Sequence, residues 1–185
     1  MATQEDRPFS YGPLELTRAQ PTSGYNIDHN RVRLGTASQA FREASTAVRE
    51  WKMFDIGWVR LYPESSAIES GATVAVVVRH LGFWSISACR IVYVVEESGL
   101  QHRYGFAYGT LPEHPERGEE RFTVEWNTGD DSVWYEILAI SKPGPMAMLA
   151  YPYVRALQRR FARDSMKAMI RAVSKLVASD FPKEN

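Results

Sequence analysis

The sequence predicts an α+β fold, an antiparallel sheet of six to seven strands whose apolar face lies under one long C-terminal helix. Three observations carry that prediction. Between Trp58 and Ile140, apolar and polar residues alternate with period two in run after run, the signature of half-buried strands. Most connections between these runs are too short for a parallel crossover, which needs a dozen or more residues. After Pro143-Gly-Pro145 the spacing becomes helical and stays so to about Ser179. A chain of 185 residues, 44% hydrophobic and 24% charged, can bury roughly 70% of its unfolded surface in one core.

Each element follows from its residues. Residues 1–29 are rich in Pro, Gly, Ser and Gln but carry Phe9, Tyr11, Leu14, Leu16, Tyr25 and Ile27. That is too many apolar groups for a free tail, so an irregular arm docked on a single domain over 30–185 is expected. Arg31-Val-Arg-Leu34 alternates and stops at Gly35, which reads as a short strand. Thr36-x-x-Gln39 has the form of a capping box. Phe41, Ala44, Val48 and Trp51 follow at helical spacing, giving an amphipathic helix over about 38–52.

Further strands are read at Trp58–Tyr62, Thr73–His80, Trp84–Val95, His102–Tyr108, Glu120–Asn127 and Ser132–Ile140. Turn signals separate them at Leu81-Gly82, Glu97-Ser-Gly99 and Thr128-Gly-Asp-Asp131. Only Gly109–Glu119 reads as a longer connection. Pairing Asn127 with Ser132 puts Phe122, Val124, Trp126, Val133, Tyr135 and Ile137 on one face, opposite a mostly polar one. A two-residue turn at Leu81-Gly82 gathers Val74, Val76, Val78, His80, Ser85, Ser87, Cys89 and Ile91 on the same side, where Tyr104, Phe106 and Tyr108 join them. The cover is the stripe Val154, Leu157, Phe161, Ser165, Ala168, Ala172 and Leu176. Pro152 kinks this helix or begins its main segment, and about 28 residues span about 42 Å, enough to cross the sheet.

Composition removes several function classes. With 22 basic and 22 acidic residues, no DNA partner is expected. Cys89 has no second cysteine to pair with, so no disulfide framework forms and a reducing compartment suits the chain. The N-terminus lacks the apolar stretch of a secretory signal, and Ala72–Val78 is far too short to span a bilayer as a helix. A cytoplasmic protein, monomer or homodimer, is expected.

The neutrality conceals a segregation. Arg155, Arg159, Arg160, Arg163, Lys167, Arg171 and Lys175 face only Asp164 in their stretch, whereas residues 96–136 hold many acids and three arginines. Arg155, Arg159 and Arg163 sit at i, i+4 spacing, read as one outer ridge of the helix. A solvated helix back explains this ridge best, and weak contact with an anionic membrane surface or RNA is the alternative.

A strand, a helix, a long antiparallel meander and one long C-terminal helix is the element order of the START/SRPBCC superfamily, which includes the birch-pollen-allergen-like proteins. The sequence more specifically resembles a family of bacterial and plant proteins known only as a domain of unknown function within that superfamily. The resemblance covers Tyr25 to about Val177. It rests on Val32-Arg-Leu-Gly35, Trp51-Lys-Met-Phe54, Trp58-Val-Arg-Leu61, Ala88-Cys-Arg-Ile91 and Phe161-Ala-Arg-Asp-Ser165. Its strongest block is Gly105-Phe-Ala-Tyr-Gly-Thr-Leu-Pro112 with His114, Glu116 and Gly118-Glu-Glu-Arg-Phe122. Leu14-Glu-Leu-Thr17 departs from it, with bulkier side chains where a small Gly-Ala pair is the pattern. The resemblance implies a helix-grip fold, a curved sheet wrapped around the C-terminal helix and an apolar cavity. It implies no reaction.

Candidate site residues were weighed against plainer structural roles. His29, His80, His102 and His114 have no chelating spacing and one cysteine supplies no thiolate cluster, so neither metal nor cofactor is expected. No Gly-x-Ser-x-Gly elbow or phosphate-cradling loop occurs, and Cys89 reads as a packed thiol. The inner-face set His80, Ser87, Tyr104, Phe106, Tyr108, Phe122, Trp126 and Tyr135, with Phe161 from the helix, has the mixture of a small-molecule site: mostly apolar with a few polar groups. The connection Thr110–Glu120 offers His114 with Glu116 or Glu120 as an acid/base pair, although a solvated connection whose acids pair with Arg117 and Arg121 accounts for it better. The expected function is therefore binding of a small hydrophobic or amphipathic molecule between sheet and helix. Proton-transfer or hydrolytic chemistry in the same cavity is the alternative.

Overall fold

The computed structural model describes residues 7–20, 23–112, 114–144, 148 and 150–179; Pro145, part of the expected strand terminator, lies outside them. Among these residues the chain forms seven strands: β1 (Asn26–Thr36), β2 (Val59–Tyr62), β3 (Thr73–His80), β4 (Phe83–Glu97), β5 (Gln101–Thr110), β6 (Glu116–Asn127) and β7 (Ser132–Pro143). They make one antiparallel sheet in the order β1-β7-β6-β5-β4-β3-β2. Helix α1 is a single turn (Leu16–Ala19), α2 spans Ala37–Arg49, and α3 spans Tyr151–Ser179. Pro152 is the second residue of α3, where its missing N–H costs nothing. This is the helix-grip arrangement, a curved sheet closed on one face by a long C-terminal helix.

The expected registers hold. Asn127 opposes Ser132, and His80 opposes Phe83 across the two-residue turn, with Val76 opposite Ser87 and Val74 opposite Cys89. Period-two alternation then fixes the inner face, because one residue of slip would turn every apolar side chain to solvent.

Several boundaries differ. The first strand begins at Asn26, five residues ahead of the alternation at Arg31, because β7 offers it a full-length partner edge. Thr36 occupies the N-cap of α2 but makes no side-chain cap bond. The Ala37 N–H is taken instead by the Asp131 carbonyl at 3.0 Å, so a tertiary contact replaces the capping box. Helix α2 stops at Arg49, and a short 3-10 turn, Lys52–Phe54, follows. Above all, the long connection expected at Gly109–Glu119 shrinks to the few residues between Thr110 and Glu116, since both strands continue in register through Gly109 and Glu119.

The outer face is not simply solvated. Leu16 packs against Leu138 and Ile140, Thr17 and Tyr11 both bond the Glu119 carboxylate, and Thr17 Oγ1 lies 2.6 Å from Tyr93 Oη. Tyr11 crosses β5 at Gly109, where an added Cβ would meet the Tyr11 hydroxyl oxygen at 2.2 Å. The close approach therefore requires glycine. Gly109→Ala should displace Tyr11, lower stability by about 1–3 kcal/mol and speed proteolytic cutting between residues 7 and 20. Urea denaturation with limited proteolysis measures both, and an unchanged variant would refute this seating of Tyr11.

Candidate functional site

The inner face of the sheet is divided in two. Over β5 and β6 it is filled by aromatic side chains from the segment after α2. The Trp51 ring lies 4.6 Å from that of Phe106, and Phe54 sits among Phe122, Phe161 and Tyr108 at 5.6, 5.3 and 6.4 Å between centroids. Farther along, Phe41 packs on Trp126 and His102, and the Arg49 guanidinium lies 3.9 Å from the Tyr104 ring centre. Toward the other end of the same strands no described residue of the segment after α2 plays that part. There a cavity of about 730 Å³ opens between the sheet and α3.

Alternation explains which side chains reach it. The inner-face rows are Asp28 and Asn30 on β1, Ile137, Ala139 and Ser141 on β7, Glu116, Gly118 and Glu120 on β6, Tyr108 and Thr110 on β5, Ser85 and Ser87 on β4, and Val76, Val78 and His80 on β3. Leu157, Phe161 and Met166 close it from α3, and Arg159 and Arg163 stand at its exposed rim. Most of the wall is apolar, and the polar groups are concentrated where β1, β6 and β7 run together.

That polar end is built on carboxylates. Asp28 receives a two-pronged bond from Arg155, whose Nη2 lies 2.6 Å from Oδ1. Gln158 Nε2 donates to both oxygens of Glu116 at 2.6 Å, and Ser141 adds a 3.3 Å bond. Glu120 accepts a 2.8 Å bond from Tyr108 Oη. Burial raises the Glu120 pKa to about 7; the Tyr108 bond works against that rise, and the nearby Glu116 and Asp28 add to it. Burial also raises Glu116, opposed by Gln158, Ser141 and Arg155. Desolvation lowers His114 to about 4, so the ring is neutral, with Nδ1 3.0 Å from the Glu116 backbone nitrogen.

Of the residues expected to bind a ligand, the structure brings His80, Ser87, Tyr108 and Phe161 to the cavity. Both His80 ring nitrogens are engaged, at 3.1 Å from Tyr153 Oη and from Ser85 Oγ. Phe106, Phe122 and Tyr135 are fully buried away from it, the last bonded to Ser165 at 3.0 Å. Tyr104 and Trp126 lie beneath α2 at the opposite end of the sheet. The physical reason is that other side chains fill the space a ligand would need: the Trp51–Phe54 wedge against Phe106 and Phe122, and Phe41 and Arg49 of α2 against Trp126 and Tyr104. Cys89 is buried, and desolvation pushes its thiol up.

His114, Glu116 and Glu120 all line the cavity, but the two glutamates do so from a strand rather than a loop. Asp28, Ser141, Arg155 and Gln158 escaped the sequence reading. Continuing the alternation of Phe122 backwards through Glu120 and Gly118 to Glu116, and of Ile137 forwards to Ser141, would have found the strand members. Arg155 is turned inward to Asp28, with only 16% of its side chain exposed, which corrects the reading of an outer ridge.

Residues 10–168 match the family described as a domain of unknown function, DUF1990. A UPF0548 protein of Dictyostelium discoideum is 37% identical over 161 residues, covering 82% of this chain and 74% of that protein. A hypothetical protein of Helicobacter pylori has a similar structure, with a TM-score of 0.55 at 12% identity over 92% of this chain and 98% of that one. The Zhui aromatase/cyclase of a Streptomyces species gives 0.54 at 13% identity over 83% and 96%. At such identities the two solved structures share the fold.

The raised Glu120 pKa has a stability consequence. A carboxyl held above its unfolded value favours the protonated folded state, so its ionisation removes stability as pH rises from about 4.5 towards 7. Glu120→Gln, which keeps the acceptor for Tyr108, should match the parent near pH 4.5 and exceed it by about 1 kcal/mol or more near pH 8. Thermal unfolding at both values checks this, and a constant difference across pH would refute it.

Proposed function

The chain belongs to the DUF1990 family, which the UPF0548 proteins share, and we propose that it binds a small amphipathic molecule in the cavity between the sheet and α3. The observation that carries this reading is the shape and chemistry of that space: about 730 Å³, apolar along β3, β7 and α3, and polar at one end. A cavity of this size lies within the range of small-molecule sites, which are mostly apolar with a few orienting polar groups. Val78, Leu157 and Phe161 would hold the apolar body, and Tyr108, Glu116 and Glu120 would orient the head. Ser87 adds a hydroxyl, whereas His80 serves mainly to tie the β3–β4 turn to Tyr153.

Proton transfer is the second reading, favoured by one observation. Glu120 has a pKa of about 7, where a general acid or base works best, and the phenol bonded to it is at hand to relay a proton. His114 is less suited, because its Nδ1 is committed to the Glu116 backbone and its pKa is far below neutrality. Of the charged helix, Arg155 is spent on Asp28 and Arg160 lies over Trp58, 4.4 Å from the ring centre, which leaves less cationic surface for lipid or RNA. No helix among the described residues is long and apolar enough to cross a membrane, and a cytoplasmic setting fits a buried, unpaired Cys89.

Val78→Trp, which extends an indole into the cavity, should weaken an apolar fluorescent probe at least about tenfold while leaving the melting temperature within a few degrees. Native mass spectrometry of the purified protein should reveal a co-purifying molecule that the variant lacks. Equal probe binding by parent and variant would place the probe elsewhere and defeat this reading.

A further inference from the structure

We propose that the head of the bound molecule is a cation, a protonated amine on an apolar body, seated against the Glu120 carboxylate. This rests on the reading of the cavity as a ligand site and assigns its ligand class.

The argument is one of unspent hydrogen-bonding capacity. At the polar end the donors beside the carboxylates are used up within the protein, with the neutral His114 ring bonded through Nδ1 alone among the described residues. Gln158 gives its amide hydrogens to Glu116, Ser141 gives its hydroxyl to Glu116, and Tyr108 gives its hydroxyl to Glu120. Arg155 is committed to Asp28 and to the Gln158 side-chain oxygen. The charged capacity left over is acceptor. Glu120 takes its one side-chain bond through Oε2, and among the described residues nothing donates to Oε1, although this side chain lines the cavity. Asn30 and Ser87, which also face the space, can donate or accept and so do not select a charge.

Charge points the same way. Three carboxylates, Asp28, Glu116 and Glu120, converge with a single cation, Arg155, while His114 beside them is neutral. An anionic head would meet this excess with only the neutral donors of Asn30, Ser87 and His114 to hold it. A neutral hydroxyl would satisfy Oε1 but leave the excess uncompensated. An ammonium supplies both the donor and the charge, and charge-assisted bonds of this kind are roughly twice as strong as neutral ones. A primary or secondary amine fits better than a quaternary one, which has no N–H to give.

The pH dependence has a definite sign. The groups facing Glu120 are Tyr108 on β5, Glu116 on β6, Asp28 on β1, Tyr135 on β7 and Cys89 on β4, while Arg155 on α3 acts on Glu116 and Asp28. Of these, Glu116 shifts upward as Glu120 does, and the tyrosines and Cys89 stay neutral near pH 7. Binding a cation requires the ionised carboxylate, so affinity should rise as pH passes upward through about 7.

Three octyl compounds that differ only in the head test this: octylamine, octanol and octanoate, titrated calorimetrically into the intact protein near pH 6 and pH 8. Octylamine should bind tightest, gain roughly tenfold over that pH range and lose that gain in Glu120→Gln, with octanol unchanged by the substitution. Octanol or octanoate binding as tightly as octylamine would overturn the cationic head while leaving an apolar ligand site intact. Tight octanoate binding abolished by Arg159→Ala would instead assign the head to the rim arginine. Binding of none of the three by a protein shown to be folded would overturn the ligand site itself.

Discussion

The wedge formed by Trp51 and Phe54 is the contact on which the rest of the interior depends. These two rings fill the inner face over Phe106 and Phe122 and brace Phe161 of α3. Burying a ring of this size removes about 150–250 Å² from water, or about 4–6 kcal/mol at ~25 cal/mol per Å². The wedge fixes how far α3 stands from the sheet. Because it packs only on one half of the strands, the other half is faced by α3 across open space, with Leu157, Phe161 and Met166 at the far wall. The cavity is thus a consequence of packing elsewhere, and apolar wall is left accessible there at a cost that the aromatic half outweighs.

Placing carboxylates in that space is expensive, and the three acids meet the expense differently. Asp28 is neutralised by a guanidinium with matched geometry, the strongest of the available pairings. Glu116 has only neutral donors, Gln158 and Ser141, and its pKa rises in spite of them. Glu120 has a single phenol and shifts to about 7, the ordinary response of a desolvated acid with too few partners. Satisfaction therefore falls from the β1 edge toward the cavity, and the least satisfied group is the one facing open space. Structural ion pairs do not ordinarily leave such a gradient. The proposed ligand site accounts for it.

Most of the architecture can be read from alternation and turn chemistry. His80 opposite Phe83 and Asn127 opposite Ser132 follow from two short turns and the rule that one face must stay apolar. The site was harder to read, for two physical reasons. Pro112, Pro115 and the cluster of acids after them look like a solvated connection, yet β5 and β6 stay paired through Gly109 and Glu119, so Glu116 and Glu120 inherit strand geometry that their polarity conceals. The aromatic rings that looked like cavity lining were claimed by Trp51 and Phe54, and local sequence does not say which of two aromatic clusters will meet. Tyr104 and Trp126 are claimed in the same way by Arg49 and Phe41 of α2. Gly109 and Gly118 break the alternation as well, although each marks a close approach by Tyr11 or by the β7 backbone.

The even charge count takes on a different meaning once the side chains are located. The acids of β6 and the arginines of α3 meet across the open end of the sheet, and Arg155 with Asp28 closes one side of it. Were α3 merely a solvated basic helix, its arginines would point away from the sheet, and the Arg155 side chain would not be only 16% exposed between β1 and Gln158. The remaining rim cations, Arg159 and Arg163, stand outside the polar end, not within it. A molecule entering past them therefore meets positive charge first and negative charge last. Such an ordering holds back a cation at long range but favours it once seated, and the apolar wall must then supply the attraction that draws it inward. On the proposed reading, shape and hydrophobicity would admit the ligand, and the carboxylates would select its head.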